Sequence, residues 1–183
     1  MRFDPLPLAG AYRLEGANFA DDRGWFARIY CAEELESVGL GKTISQANIS
    51  MTRRKGAVRG MHYQHPPHAE AKIIRCLRGS VFDVMVDLRE ESETYLCWCG
   101  EVLTADSGKA LLVPEGFAHG FQTLEDDTQL LYMHTEPYAP ECEGGIRFDD
   151  PAVGIQWPFP PSYVSERDLK HPLIAQGYVG IKL

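Results

Sequence analysis

Apolar and polar residues alternate with a period of two along most of the chain. Residues 24–30, 43–52, 57–64, 71–77, 81–88, 95–103, 110–113 and 129–135 each read as a strand, because successive side chains of an extended backbone point to opposite faces. Breaker clusters separate them: Gly56, Pro66-Pro67, Gly79-Ser80, Asp106-Ser107-Gly108 and Pro114-Glu115-Gly116. Early in the chain only residues 32–38 have a good helical composition. A helical turn is predicted over 165–169, where Ser165 can cap and Asp168 falls at the third following position. Many short strands and few helices predict an all-β antiparallel sandwich or barrel. The Pro-, Gly- and acid-rich stretch 137–161 is expected to wrap it as an ordered loop.

Residues 81–88 show how such a fold makes a polar interior. Phe82, Val84, Val86 and Leu88 share one face, and Asp83 and Asp87 share the other with Val81 and Met85. An aspartate pointing into a barrel needs a cationic or hydrogen-bonding partner. Asp83 is therefore a candidate partner for a histidine or for Lys72, the alternative being a solvated strand residue.

Composition narrows the classes. A chain of 183 residues is enough for one domain, expected over 1–183, and too short for two comfortable ones. A net charge of −8 argues against nucleic acid as a partner, although a local group of Arg and Lys can still hold an anion. The sequence shows no charged-then-apolar leader and no apolar run of membrane-span length. With five scattered cysteines, this predicts a cytoplasmic protein with no membrane contact. Cys97-x-Cys99 lacks a second pair and is a weak zinc signal.

The chemistry concentrates in Val58-Arg59-Gly60-Met61-His62-Tyr63-Gln64 and the following Lys72. His62, Tyr132 and Lys72 together supply a base, a phenolic acid and a cation able to stabilise an oxyanion. His119 lies in a segment whose flanking aromatics, Phe117 and Phe121, share its face. In a regular strand Arg59 and His62 point to opposite faces, so either Gly60 carries a bulge or Arg59 acts at the rim. Gln46, Asn48 and Ser50 form a polar stripe on one face. Histidines in a β-barrel also suggest metal, but His62-Tyr63-Gln64-His65 has no H-x-H pair and no close downstream Glu.

The motifs Asp22-Arg23-Gly24-Trp25-Phe26, Gln46-x-Asn48, Arg59-Gly60-Met61-His62-Tyr63-Gln64, Lys72, Asp83-Val84-Met85-Val86-Asp87-Leu88-Arg89, Pro114-Glu115-Gly116-Phe117-Ala118-His119-Gly120-Phe121, Asp149-Asp150-Pro151, Trp157-Pro158 and Ser165-Glu166-Arg167-Asp168 occur in this order. Over nearly its whole length the chain resembles the dTDP-4-dehydrorhamnose 3,5-epimerase family. The resemblance implies a cupin-type jelly-roll barrel with a few short peripheral helices, usually a homodimer. It implies epimerisation of a nucleotide-linked 4-keto-6-deoxy sugar without metal or organic cofactor. By similarity His62 is the base, Asp168 orients it, Tyr132 is the proton donor across the ring, and Lys72 stands beside the sugar oxygen. Arg23, Arg59 and Arg167 match positions that contact the diphosphate or sugar. His119, Glu143, Gln46 and Asn48 match other binding positions, and Tyr138 fits an aromatic flank. Each has an ordinary structural alternative: Asp168 as a turn cap, Tyr132 as a core residue, Arg23 and Arg167 as solvated charges.

Two positions depart from the family. Arg28 stands where many members carry a substrate-contacting Glu, and Ala47 stands where an acidic residue often follows the Gln. The reaction class is thus better specified than the substrate. Alternatives are a single-centre C3 or C5 epimerase or a 3,4-ketoisomerase on a different nucleotide sugar, a non-catalytic sugar-binding cupin, and a metal-dependent cupin oxygenase.

Overall fold

The computed structural model describes residues 1–175 and 178–183. Among these, the strands run β1 (Arg2–Pro5), β2 (Tyr12–Glu15), β3 (Asn18–Asp21), β4 (Gly24–Ala27), β5 (Gln46–Thr52), β6 (Val58–Gln64), β7 (Lys72–Arg78), β8 (Ser80–Asp87), β9 (Trp98–Thr104), β10 (Lys109–Val113), β11 (Phe117–Thr123), β12 (Thr128–His134) and β13 (Glu143–Gly145). Helix α1 spans Ala32–Glu36 and α2 spans Glu166–Leu169. A six-stranded sheet has the order β1-β2-β10-β7-β12-β5, and a five-stranded sheet the order β13-β6-β11-β8-β9. The strands of both pair antiparallel with their neighbours, and from β5 on they alternate between the sheets except at β8 and β9, giving the all-β, cupin-type jelly roll.

Three layers of apolar packing hold the sheets. Between them Ile74, Val81, Met85, Leu103, Leu111, Phe117, Phe121 and Leu130 form one cluster. Val84, Val86 and Leu88 pack outward against Ile146, Val153, Trp157 and Ile181. Both faces of β8 are therefore covered, which its two apolar sets require. Leu35 of α1 closes the outer side of the six-stranded sheet with Ile73, Leu112 and Met133. The stretch 137–161 does wrap the barrel, but it is not all loop: it contributes β13 to the sheet edge.

Several boundaries differ from expectation. Residues 24–27, rather than 24–30, form a strand, because β4 pairs only with β3 in a separate hairpin. β5 begins at Gln46 rather than at residue 43, and β9 begins at Trp98 rather than at 95. Cys97 is consequently exposed in the preceding turn, whereas Cys99 packs against the interior cluster. β1, β2, β3, β11 and β13 were not predicted as strands. The first three and the last are three or four residues long, too short for a period to show.

The turn at 165–169 forms as expected. Ser165 Oγ accepts the backbone N–H of Asp168 at 3.0 Å, capping α2.

Candidate active site

A cavity of about 270 Å³ opens between the two sheets. The five-stranded sheet contributes Arg59, His62 and Gln64 from β6 and His119 from β11. The six-stranded sheet contributes Asn48 and Ser50 from β5, Lys72 from β7, and Tyr132 and His134 from β12. Imidazole and phenol thus face the same space from opposed walls. An adjoining hollow of about 470 Å³ shares Arg59 and His62 and adds Tyr163, Ser165, Arg167 and Asp168.

Arg59 and His62 reach the same side by a bulge. His119 pairs with His62, but Phe121 pairs with Arg59, so β6 carries one residue more than β11 between these points. Gly60 occupies the irregularity with φ +128°. A Cβ there would lie 2.6 Å from Gly120 Cα and 2.9 Å from the His119 carbonyl oxygen. Glycine is required both for the dihedral and for the close approach of the two backbones.

His62 is held from outside the barrel. Its Nε2 lies 2.8 Å from Oδ1 of Asp168, and the carboxylate's Oδ2 accepts the Gly60 N–H at 3.3 Å. Burial pushes the Asp168 carboxyl up, but the hydrogen bond and charge of His62 outweigh it, aided by the Gly60 and Ser165 groups. The net effect holds Asp168 below the usual carboxylate range, so it is an anion at neutral pH. With Nε2 engaged, Nδ1 is the ring nitrogen left to take a proton.

Tyr132 sits between two other imidazoles, with ring centroids 6.3 Å from His119 and 6.2 Å from His134. Its hydroxyl pairs with Ser50 Oγ at 3.0 Å. Burial pushes the phenol well up, so at neutral pH it is a proton donor rather than a base. His119 in turn meets Asp83 at 2.9 Å, the histidine partnership expected of that aspartate.

Lys72 is buried. Its ammonium donates to the His62 carbonyl oxygen at 3.3 Å and pairs with Glu70 at 3.2 Å. Glu70 also holds His134 Nδ1 at 2.8 Å. Burial raises the Glu70 carboxyl, but His134 and Lys72 outweigh this and keep it below its ordinary value. Neither Glu70 nor His134 was singled out in the sequence. The parity signal was present, since Glu70 and Lys72, and Tyr132 and His134, are spaced two apart.

The other expected residues divide. Asn48, Arg59, His119, Tyr138 and Glu143 line the cavity. Tyr138 donates its hydroxyl to Glu143 at 3.0 Å, and Glu143 also pairs with Arg167. Gln46 does not line it; its Oε1 accepts the Tyr138 N–H at 3.0 Å and so anchors the cavity rim. Arg23 and Arg28 lie away from it. Arg23 pairs with Asp21 in the β3–β4 hairpin, and Arg28 pairs with Glu34 of α1 at 2.6 Å.

An antiparallel jelly roll whose interior joins a carboxylate-backed imidazole, a neutral phenol and a buried ammonium defines a barrel equipped for proton transfer to and from a bound small molecule. The family model of dTDP-4-dehydrorhamnose 3,5-epimerase matches residues 5–176. A dTDP-4-dehydrorhamnose 3,5-epimerase of Sinorhizobium fredii is 40% identical over 177 residues, covering 96% of this chain and 91% of that protein. A dTDP-4-dehydrorhamnose 3-epimerase of Streptomyces niveus is 38% identical over 177 residues, covering 96% and 85%. The crystal structure of dTDP-4-dehydrorhamnose 3,5-epimerase from Bacillus anthracis, with TDP and PPi bound, superposes with a TM-score of 0.91 at 37% identity, covering 94% of this chain and 99% of that one. The chain belongs to the dTDP-4-dehydrorhamnose 3,5-epimerase family.

Proposed function

We propose that this protein epimerises a dTDP-linked 4-keto-6-deoxy sugar at the carbons flanking the ketone, using its own side chains as acid and base. The observation that carries the reading is the placement of His62 and Tyr132 on opposite sheets across one cavity. Inversion needs a base on one face of the ring and an acid on the other. A ketone at C4 acidifies the hydrogens on C3 and C5. His62 Nδ1 removes such a proton, the electron pair moves into an enolate at O4, and Tyr132 returns a proton from the far side. Asp168 holds the imidazolium that forms. Lys72 supplies positive charge for the enolate oxygen, a contribution of roughly 3–4 kcal/mol for one well-placed donor.

The nucleotide diphosphate fits the adjoining hollow, where Arg59 and Arg167 stand at the border of the sugar cavity. Asn48, His119, Tyr138 and Glu143 are the remaining binding groups in this reading, with Gln46 fixing the rim. Inversion at C3 alone is the second reading, favoured by the similarity to a 3-epimerase.

The partner is inferred to be a second copy of the chain. The β3–β4 hairpin pairs with neither large sheet and exposes Phe19, Trp25 and Phe26, and the edge strand β5 exposes Ile49 and Met51. Mutual coverage of these surfaces would bring Arg23 and Arg28 toward a neighbour's site. Five unpaired cysteines, Cys97 exposed among them, fit the reducing cytoplasm.

Incubation with dTDP-, CDP- and GDP-linked 4-keto-6-deoxyhexoses in deuterated water tests the reading. Label with inversion at C3 and C5 of the dTDP sugar is expected. A relocated ketone, or no label with any of them, would overturn it.

A further inference from the structure

His171 takes no part in the proton transfers described above, yet it lies against the dyad. Its ring meets that of His62 edge-on, with centroids 5.5 Å apart. Its Nε2 is shielded from solvent, makes no hydrogen bond among the described residues, and lies 3.9 Å from Asp168 Oδ1. The same carboxylate oxygen is 2.8 Å from His62 Nε2. One ligand atom from each of the three residues falls within 4.8 Å of the others.

We propose that His62, Asp168 and His171 form a binding site for a divalent transition ion such as Zn²⁺, and that the ion switches the enzyme off. Two imidazoles and one carboxylate are a common zinc set, with bonds of about 2.0–2.2 Å. Tetrahedral bonds of that length separate neighbouring donors by about 3.4 Å. The observed separations from Asp168 Oδ1, 2.8 and 3.9 Å, lie on either side of that value. Small side-chain rotations would close the site. His62 and Asp168 also line the adjoining hollow, which gives an ion a path to the site.

The inhibition follows from the tautomer, and rests on His62 being the base. In the resting dyad the Nε2 proton of His62 bonds Asp168 and the Nδ1 lone pair is available. For an ion to bind Nε2, the ring's one proton must move to Nδ1, which uses the Nδ1 lone pair and leaves one on Nε2 for the metal. No proton is lost from the ring, but the nitrogen facing the substrate becomes a donor and cannot accept one. Asp168 would at the same time be neutralised by the metal.

The chemistry of His171 suits a ligand. Its shielded, unpartnered Nε2 offers a metal the lone pair that a neutral imidazole carries. The positive charge of Arg167, which borders the same hollow, is paired with Glu143. Gly145 lies under the ring, and the lack of a Cβ there leaves the imidazole the room it occupies.

The test is titration of the whole protein with Co²⁺, followed by its visible absorption, and with Zn²⁺, followed by deuterium uptake into the substrate. The wild type is expected to bind one Co²⁺ in a tetrahedral spectrum and to lose exchange at the same stoichiometry with Zn²⁺. His171→Asn, and His171→Phe as a variant that keeps a ring over Gly145, are expected to exchange normally without metal. Both should need about ten- to a hundredfold more Zn²⁺ for inhibition, since even loss of a group behind a ligand has that effect. Absence of the tetrahedral spectrum, or inhibition unchanged in both variants, would overturn the proposal. Metal binding that depends on His171 but leaves exchange intact would uphold the site and remove His62 from the chemistry.

Discussion

Asp168 hydrogen-bonds His62 at 2.8 Å across 106 residues of chain, joining the short helix α2 to the middle of strand β6. The pair makes a two-way dependence. His62 holds the Asp168 carboxyl below its ordinary value despite burial, so Asp168 is more acidic in the folded chain than in the unfolded one. A depressed carboxyl contributes stability that is fully present above the unfolded value of 3.8 and is lost as pH falls through the folded value. Urea unfolding from pH ~6 down to pH ~2 is expected to show a steeper loss of stability below pH ~4 in the wild type than in Asp168→Asn. Parallel curves for the two proteins would contradict the coupling. The same variant should lose about 10²-fold or more in kcat at pH 7, because the amide neither orients the ring nor balances the imidazolium.

Glu70 secures two cavity groups at once, Lys72 and His134. Both Lys72 and Glu70 have side chains only 8% exposed, so removing the carboxylate leaves a buried ammonium without its counter-ion. Glu70→Ala is expected to destabilise the fold by about 3–5 kcal/mol in chemical denaturation. Glu70→Gln, which keeps one hydrogen bond, should cost less and still lower kcat, because Lys72 loses its anchor. An unchanged kcat in a folded Glu70→Gln would show that Lys72 needs no such support.

Gly60→Ala tests the bulge. The dihedral alone costs about 1–3 kcal/mol for a residue with a side chain. The Cβ would also meet backbone atoms of Gly120 and His119, which cannot rotate away. A lowered melting temperature and loss of exchange are expected together, since flattening β6 turns Arg59 or His62 out of the cavity. A variant that keeps wild-type activity would mean the two residues do not depend on this irregularity.

Much of this was legible along the chain, for reasons that differ by residue. The alternation in 81–88 made Asp83 a candidate partner for a histidine, with a solvated residue as the alternative; Val81 and Met85, which share its face, pack in the interior, and its partner is His119. The Ser165 cap was readable because capping is local. β11 was missed as a strand because Ala118 and Gly120 are poor strand formers; Gly120 is small because a Cβ would lie 2.7 Å from the Arg59 carbonyl oxygen. That constraint belongs to strand pairing and has no signature in the segment itself. The pairing of Asp168 with His62 came only through family resemblance, since no spacing rule links residues so far apart. Arg23 and Arg28, matched to binding positions in the same way, lie on or beside a hairpin that leaves its own barrel.

That hairpin carries the assembly prediction. Phe19, Trp25 and Phe26 are 65%, 63% and 71% exposed, a cost in water that a second copy would remove. Light scattering is expected to give twice the 20.5 kDa chain mass for the wild type. Trp25→Glu with Phe26→Glu should give the single mass and weaker substrate binding. A monomeric wild type with full activity would contradict the inference.

The most direct measurement is deuterium uptake at C3 and C5 of the dTDP-4-keto sugar, followed by NMR for His62→Ala and Tyr132→Phe beside the wild type. His62→Ala is expected to lose uptake at both carbons by about 10²–10⁴-fold. Tyr132→Phe should retain much of the uptake while losing inversion, because the proton still leaves toward His62 and returns from the same side. Normal uptake in His62→Ala, or full inversion in Tyr132→Phe, would contradict the assignment of base and acid to opposite walls of the cavity.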